Sequence, residues 1–116
     1  MGGAQQLKAR KWQVWMVDMP AGKGHEQEGE RPAIVAGGKN GLITAIPLTS
    51  EIKRAGFSHT LLIEPTKENG LLAESVALVF QLTSLDENRF KNQIGYVTGE
   101  HRETVDDLLK DLLKLN

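Results

Sequence analysis

Arg31 and Thr49 are the two side chains of this sequence whose type and setting best fit phosphate chemistry. Arg31 ends a polar, glycine-flanked loop, Gly24-His25-Glu26-Gln27-Glu28-Gly29-Glu30, and stands directly before Pro32, which biases it towards extended backbone. A planar guanidinium donates two parallel hydrogen bonds to phosphate oxygens and keeps its charge at any working pH. Thr49 and Ser50 close the run Ala45-Ile46-Pro47-Leu48, where a strand opens into a loop. The Thr49 hydroxyl is carried on a stiff β-branched side chain suited to fixing an oxygen, and Ser50 offers a second, less rigid hydroxyl. Glu26 is the candidate general base on the polar loop, with the imidazole of His25 beside it as rival. A fixed cation and a fixed hydroxyl meeting in one cleft form the chemical hypothesis.

Those residues need strands behind them. Trp12 to Met19 reads as a first strand, closed by Pro20 and the polar loop. Pro32 to Ala36 is a second, and Asn40-Gly41 carries the hairpin signal that returns the chain through Leu42 to Leu48. Glu51 to Gly56 is long enough for a short helical turn only. Thr60 to Glu64 and Glu74 to Leu82 are strand-like, with an Asn69-Gly70 turn between them. Ser84 or Asp86 is expected to cap a short helix through about Lys91, before a last short strand from Ile94 to Val97. Val105, Leu108, Leu109, Leu112 and Leu113 recur at helical spacing, with acids early and Lys110 and Lys114 late. Short strands, hairpin signals and one terminal amphipathic helix predict a mainly β (α+β) fold, a small barrel of antiparallel strands with helices packed on it.

The 116 residues suit one domain, here residues 12–116 behind a flexible tail of residues 1–11. Forty per cent apolar and 25% charged residues are ordinary for a soluble protein, and no apolar stretch approaches a membrane span. With no basic-then-apolar leader either, a cytoplasmic protein is expected. The absence of cysteine excludes disulfides, thiolate zinc sites and cysteine nucleophiles. The three histidines, His25, His59 and His101, are too far apart for a local metal motif, so neither metal nor cofactor is expected. Net charge is −1, but residues 1–58 carry +3 and residues 59–116 carry −4. The basic half holds both candidate segments, which fits a local phosphate-reading face on a nearly neutral protein.

Glu26-Gln27-Glu28-Gly29-Glu30-Arg31-Pro32, then Ala33-Ile34-Val35 and a strand ending in Thr49-Ser50, resembles the MazF/PemK (Kid) toxins of type II toxin–antitoxin systems. Asn69-Gly70-Leu71, Ser75-Val76, Leu85-Asp86, Arg89-Phe90, Ile94-Gly95 and the C-terminal helix agree with that resemblance, which spans roughly residues 13–116. It implies an SH3-like barrel, a homodimer and a cognate antitoxin protein as partner. It also implies a metal-independent endoribonuclease that cuts single-stranded RNA at a short sequence. RNA supplies its own nucleophile. The enzyme need only align the 2′-hydroxyl with phosphorus, take its proton, neutralise the phosphorane and protonate the leaving 5′-oxygen.

By the same resemblance Arg31 and Thr49 take the catalytic positions and Glu26 that of a glutamate implicated in some members. Ser50, His25, Gln27, Lys53 and Arg54 are the accompanying candidates for RNA contact. The sequence also departs from the pattern. Trp12-Gln13 replaces the frequent Gly-Asp at the first strand, and Leu78 and Phe80 stand where PemK-type members place an Arg and an Asp used in cleavage. The alternative reading is therefore a toxin-fold binding protein without nuclease activity, either a gyrase poison like the related CcdB toxins or a degenerate homologue.

Overall fold

The computed structural model describes residues 8–20 and 29–115. Among the described residues seven strands follow one another: β1 (Gln13–Met19), β2 (Gly29–Lys39), β3 (Leu42–Thr49), β4 (Thr60–Ile63), β5 (Ser75–Leu78), β6 (Thr83–Asp86) and β7 (Phe90–Tyr96). The one α-helix of the described residues, α1 (Glu100–Leu113), comes last. Every pairing is antiparallel, in the order β4-β5-β3-β2-β1-β7, with β6 also bonded to β3. The expected antiparallel sheet closed by one terminal helix is the fold that forms.

The β2–β3 hairpin is set by two residues. Asn40 and Gly41 have φ of 57° and 80°, the two left-handed positions of a tight primed turn, so Lys39 pairs with Leu42. From there β3 serves two partners: its first half, Leu42 to Ala45, bonds to β6, and its end, Leu48 and Thr49, bonds to β5. The sheet divides past β3, and apolar side chains are buried on both of its faces. One core gathers Trp15, Val17, Val35, Ile43 and Phe90. The other gathers Val14, Ile34, Ile46, Leu48, Ile63 and Val79 and is covered by α1. Two-sided burial is why these strands read as apolar runs rather than as alternation.

On α1, Val105 is fully buried, and Leu108, Leu109 and Leu112 pack on the second core. Burying one such side chain is worth roughly 1.5–3 kcal/mol. Leu113, the last of the stripe, is half exposed. Lys114 ends the helix in the left-handed conformation, and Leu115 N–H returns to the Lys110 carbonyl at 2.8 Å. Among the described residues no helix is long and apolar enough to cross a membrane. The described part of the N-terminal stretch is held to the domain: Ala9 is buried in the first core and Arg10 N–H donates to Gln13 Oε1 at 2.9 Å.

Three expected elements differ. The strand from Glu74 stops at Leu78, and Val79–Gln81 is a turn of 3-10 helix. No helix starts at Ser84. Thr83–Asp86 is β6, stitched to β3 and reinforced by a 2.6 Å contact between the Thr44 and Ser84 hydroxyls. Asp86 does cap, accepting from Asn88 N–H at 2.8 Å, but what it caps is the single 3-10 turn Glu87–Arg89. The last strand then begins at Phe90, because Phe90 and Trp15 meet edge to face at 6.5 Å and draw β7 alongside β1.

Candidate active site

The β2–β3 ladder pairs Val35 with Ala45, Ile34 with Ile46 and Ala33 with Pro47, and there it stops. Pro32 and Pro47, one on each strand at that place, have no N–H to give. Continuing the same register two positions would set Arg31 opposite Thr49, so the two residues sit where the strands come apart. Arg31 remains fixed from its other side, where β2 still pairs with β1 and Arg31 lies opposite Val17. Thr49 is fixed by β5, opposite Val76.

The parted strands open a cavity of about 520 Å³. Glu30, Arg31 and Pro32 line it from β2, Leu48, Thr49 and Ser50 from the end of β3, Met16 from β1 and Ile94 from β7. The loop Gly70-Leu71-Leu72-Ala73 with Ser75 completes the wall. Thr49 is almost wholly buried, and its Oγ1 accepts from Glu51 N–H at 3.2 Å, which leaves the hydroxyl proton as the group it donates. Arg31 is half-buried and Ser50 exposed. Leu72 is fully exposed beside them, an unusual setting for a leucine.

The loop that carries Leu72 is clasped by Asn69. Its Oδ1 accepts from the N–H groups of Thr66 and Leu71, both at 3.0 Å, and its Nδ2 donates to the Glu64 carbonyl at 2.9 Å. Thr66 Oγ1 in turn accepts from Asn69 N–H at 3.0 Å. Behind the clasp, backbone meets backbone. Tyr96 N–H donates to the Glu68 carbonyl at 2.9 Å, a Cβ on Gly95 would lie 2.2 Å from the Glu68 oxygen, and one on Gly70 would lie 2.0 Å from the Ile94 oxygen. Gly70 also holds a φ of +69°. Glycine is the residue that permits this approach.

Beyond Ser50 the chain makes a 3-10 turn, Ile52–Gly56. Glu51 Oε2 accepts from Arg54 Nε at 2.9 Å. Arg54 holds the Glu51 carboxyl below its ordinary pKa of 4.5, chiefly through that bond, with weaker help from Lys53 and Arg31. Glu51 therefore senses the cations on both sides of the Thr49–Ser50 corner.

Of the residues singled out in the sequence, Arg31, Thr49 and Ser50 come together in one cavity, and Lys53 and Arg54 lie beside it on the following turn. His25, Glu26 and Gln27 fall outside the described residues. Leu78 is buried, and Phe80 packs against Phe57 at 5.8 Å, so neither lines the cavity. The apolar lining from Met16, Leu71, Leu72 and Ile94 was missed, as was the Asn69 clasp. Asn69-Gly70 signalled the turn but not what the turn packs against.

Residues 10–113 match the model of the PemK-like, MazF-like toxins of type II toxin-antitoxin systems. Endoribonuclease MazF9 of Mycobacterium tuberculosis (strain ATCC 25618 / H37Rv) is 29% identical over 111 residues, covering 87% of this chain and 92% of that protein. MazF from Deinococcus radiodurans superposes with a TM-score of 0.71 at 28% identity, covering 96% of this chain and all of that one. The MazE-MazF structure from the same organism gives 0.69 at 28% identity, over 97% of this chain and all of that one. The toxin MazF-mt6 of M. tuberculosis, at 14% identity and a TM-score of 0.70 over 90% of this chain and 98% of that one, shares the fold. The chain thus belongs to the PemK-like, MazF-like toxin family of type II toxin-antitoxin systems.

Proposed function

We propose that this toxin is a metal-independent endoribonuclease that cuts single-stranded RNA, mRNA in particular, at a short sequence. The observation that carries the reading is the meeting of Arg31 and Thr49 at the open end of the β2–β3 ladder, in a cavity with a cation and hydroxyls on one side and apolar walls on the other. The 2′-oxygen attacks the adjoining phosphorus as its proton is taken, the bond from phosphorus to the 5′-oxygen breaks, that oxygen takes a proton from water, and the products are a 2′,3′-cyclic phosphate and a 5′-hydroxyl. Arg31 holds the non-bridging oxygens and balances the charge of the phosphorane. Thr49, donating its hydroxyl proton, positions the phosphate, with Ser50 beside it. Glu26, a few positions before β2 in sequence, accepts the 2′ proton, and its sequence neighbours His25 and Gln27 contact the RNA.

The apolar walls suit a splayed base, the form in which single-stranded RNA is read. The similar MazF from Deinococcus is found in a MazE-MazF structure; for this chain, a cognate antitoxin silences the toxin by laying an acidic segment over the Arg31–Thr49 cleft. The working form is a homodimer in the cytoplasm.

The test is incubation of the purified protein, its Arg31→Ala variant and its Thr49→Val variant with a long single-stranded RNA in EDTA, followed by mapping of the ends. Discrete cuts bearing 5′-hydroxyls are expected, slowed by about two to four powers of ten in each variant. RNA left intact by a large excess of wild-type protein would leave the non-nucleolytic binding toxin as the better account.

A further inference from the structure

Next to the main cavity, past Ser50, lies a second hollow of about 320 Å³ lined by Glu51, Lys53, Arg54 and Phe57. Its arginine is only half used. Arg54 Nε donates to Glu51, while Nη1 is shut away from solvent and has no hydrogen-bond partner among the described residues. A guanidinium that buries an unmet donor beside an open hollow gains by turning that donor towards an acceptor. Lys53 adds an exposed ammonium on the same turn. The Phe57 ring, backed edge to face by Phe80 at 5.8 Å, gives the hollow an apolar side that strengthens the charges within it. Arg54, then Lys53 and, most weakly, Arg31 all lower the Glu51 pKa.

We propose that Lys53 and Arg54 form a second phosphate subsite for the RNA, one step along the backbone from the Arg31–Thr49 cleft, and that Glu51 holds Arg54 until that phosphate displaces it. The proposal rests on the nuclease reading, and it gives Glu51 a role opposite to that of its neighbours. Its carboxylate competes with the substrate for the guanidinium, as an internal mimic of the phosphate. Continuity through Ser50, which lines the main cavity, favours an RNA backbone over a separate ligand.

The experiment measures binding of a 2′-O-methyl oligoribonucleotide, which cannot be cleaved, across a series of salt concentrations. The proteins are the wild-type chain and its Lys53→Ala, Arg54→Gln and Glu51→Gln variants. Lys53→Ala and Arg54→Gln are expected to weaken binding roughly tenfold. Each should also flatten the slope of log Kd against log salt by about 0.7 per lost phosphate contact. Glu51→Gln is expected to tighten binding, and that opposite sign separates the subsite from a folding defect, which weakens all variants alike. A neutral methylphosphonate at the phosphate next to the scissile one should make wild type and Arg54→Gln bind equally.

Salt slopes unchanged in Lys53→Ala and Arg54→Gln, or weaker binding by Glu51→Gln, would overturn the proposal. So would loss of affinity for an acidic antitoxin peptide alone, which would make the hollow a carboxylate site. A wild-type protein that cuts RNA while the variants bind normally defeats the subsite only; one that neither binds nor cuts RNA defeats the nuclease reading beneath it.

Discussion

Trp12 holds a backbone φ of +79°, a conformation that suits glycine and costs a bulky residue about 1–2 kcal/mol. Two hydrogen bonds impose it: Trp12 N–H donates to the Val35 carbonyl and Val97 N–H donates to the Trp12 carbonyl, both at 2.8 Å. The indole repays part of the strain by packing on the second core and by facing Lys11 Nζ at 4.9 Å and the Arg102 guanidinium at 5.7 Å. Packing and backbone thus pull in opposite directions at one residue, and two substitutions separate them. Trp12→Gly and Trp12→Ala both lose the ring, but only alanine keeps the strain. The glycine variant should be the more stable of the two by about 1 kcal/mol, measured by urea unfolding. The sequence set this residue apart as a tryptophan where the resembling family often has glycine, and the backbone angle gives that difference physical content. Arg31 and Thr49 were legible for a related reason, since Arg31 precedes a proline and Thr49 follows one by two positions, where a strand ends.

At the scale of elements, the clasped loop of residues 66–73 depends on bare backbone at Gly95. Gly95→Ala should cost about 1–3 kcal/mol in chemical denaturation, as overpacking does, and should impair RNA cleavage in the molecules that remain folded. The cause is displacement of Leu71 and Leu72 from the cavity wall. A loss of stability with cleavage per folded molecule untouched would show that the loop does not shape the site. Apolar composition marked β1 to β5, even the four-residue β4 and β5, and the leucine period marked α1. Thr83-Ser84-Leu85-Asp86 was not legible as a strand. It is four residues long, it buries only Leu85, and its Ser and Asp are the residues that signal a helix start. Its strand character comes from β3 alongside, a partner some forty positions away that no local pattern records. The apolar side of the cleft was hidden in the same way, since Met16, Leu72 and Ile94 are ordinary residues until the fold gathers them.

Across the whole molecule, α1 is tied back to the sheet by polar contacts as well as by its leucines. His59 Nε2 and Asp111 Oδ2 lie 2.6 Å apart, joining the loop before β4 to the last turn of the helix, and Lys11 Nζ reaches Asp106 at 3.3 Å. The bond with His59, followed by the charge of Lys114, holds the Asp111 carboxyl below its ordinary value of 3.8. A carboxyl depressed in the folded state stabilises it fully above the unfolded value and loses that contribution as pH falls through the folded one. The stability difference between the wild type and Asp111→Asn should therefore shrink as pH drops below about 4. A gap that persists at pH 2 would assign the effect to packing rather than charge. The walls of the Arg31–Thr49 cavity come from residues as early as Met16 and as late as Ile94. Synthesis from the N-terminus releases Arg31 and Thr49 long before β7 exists. Until that strand closes, a growing chain carries the pair proposed for catalysis without the wall that Ile94 supplies, so exposure of the cell to the proposed activity waits on the synthesis of β7.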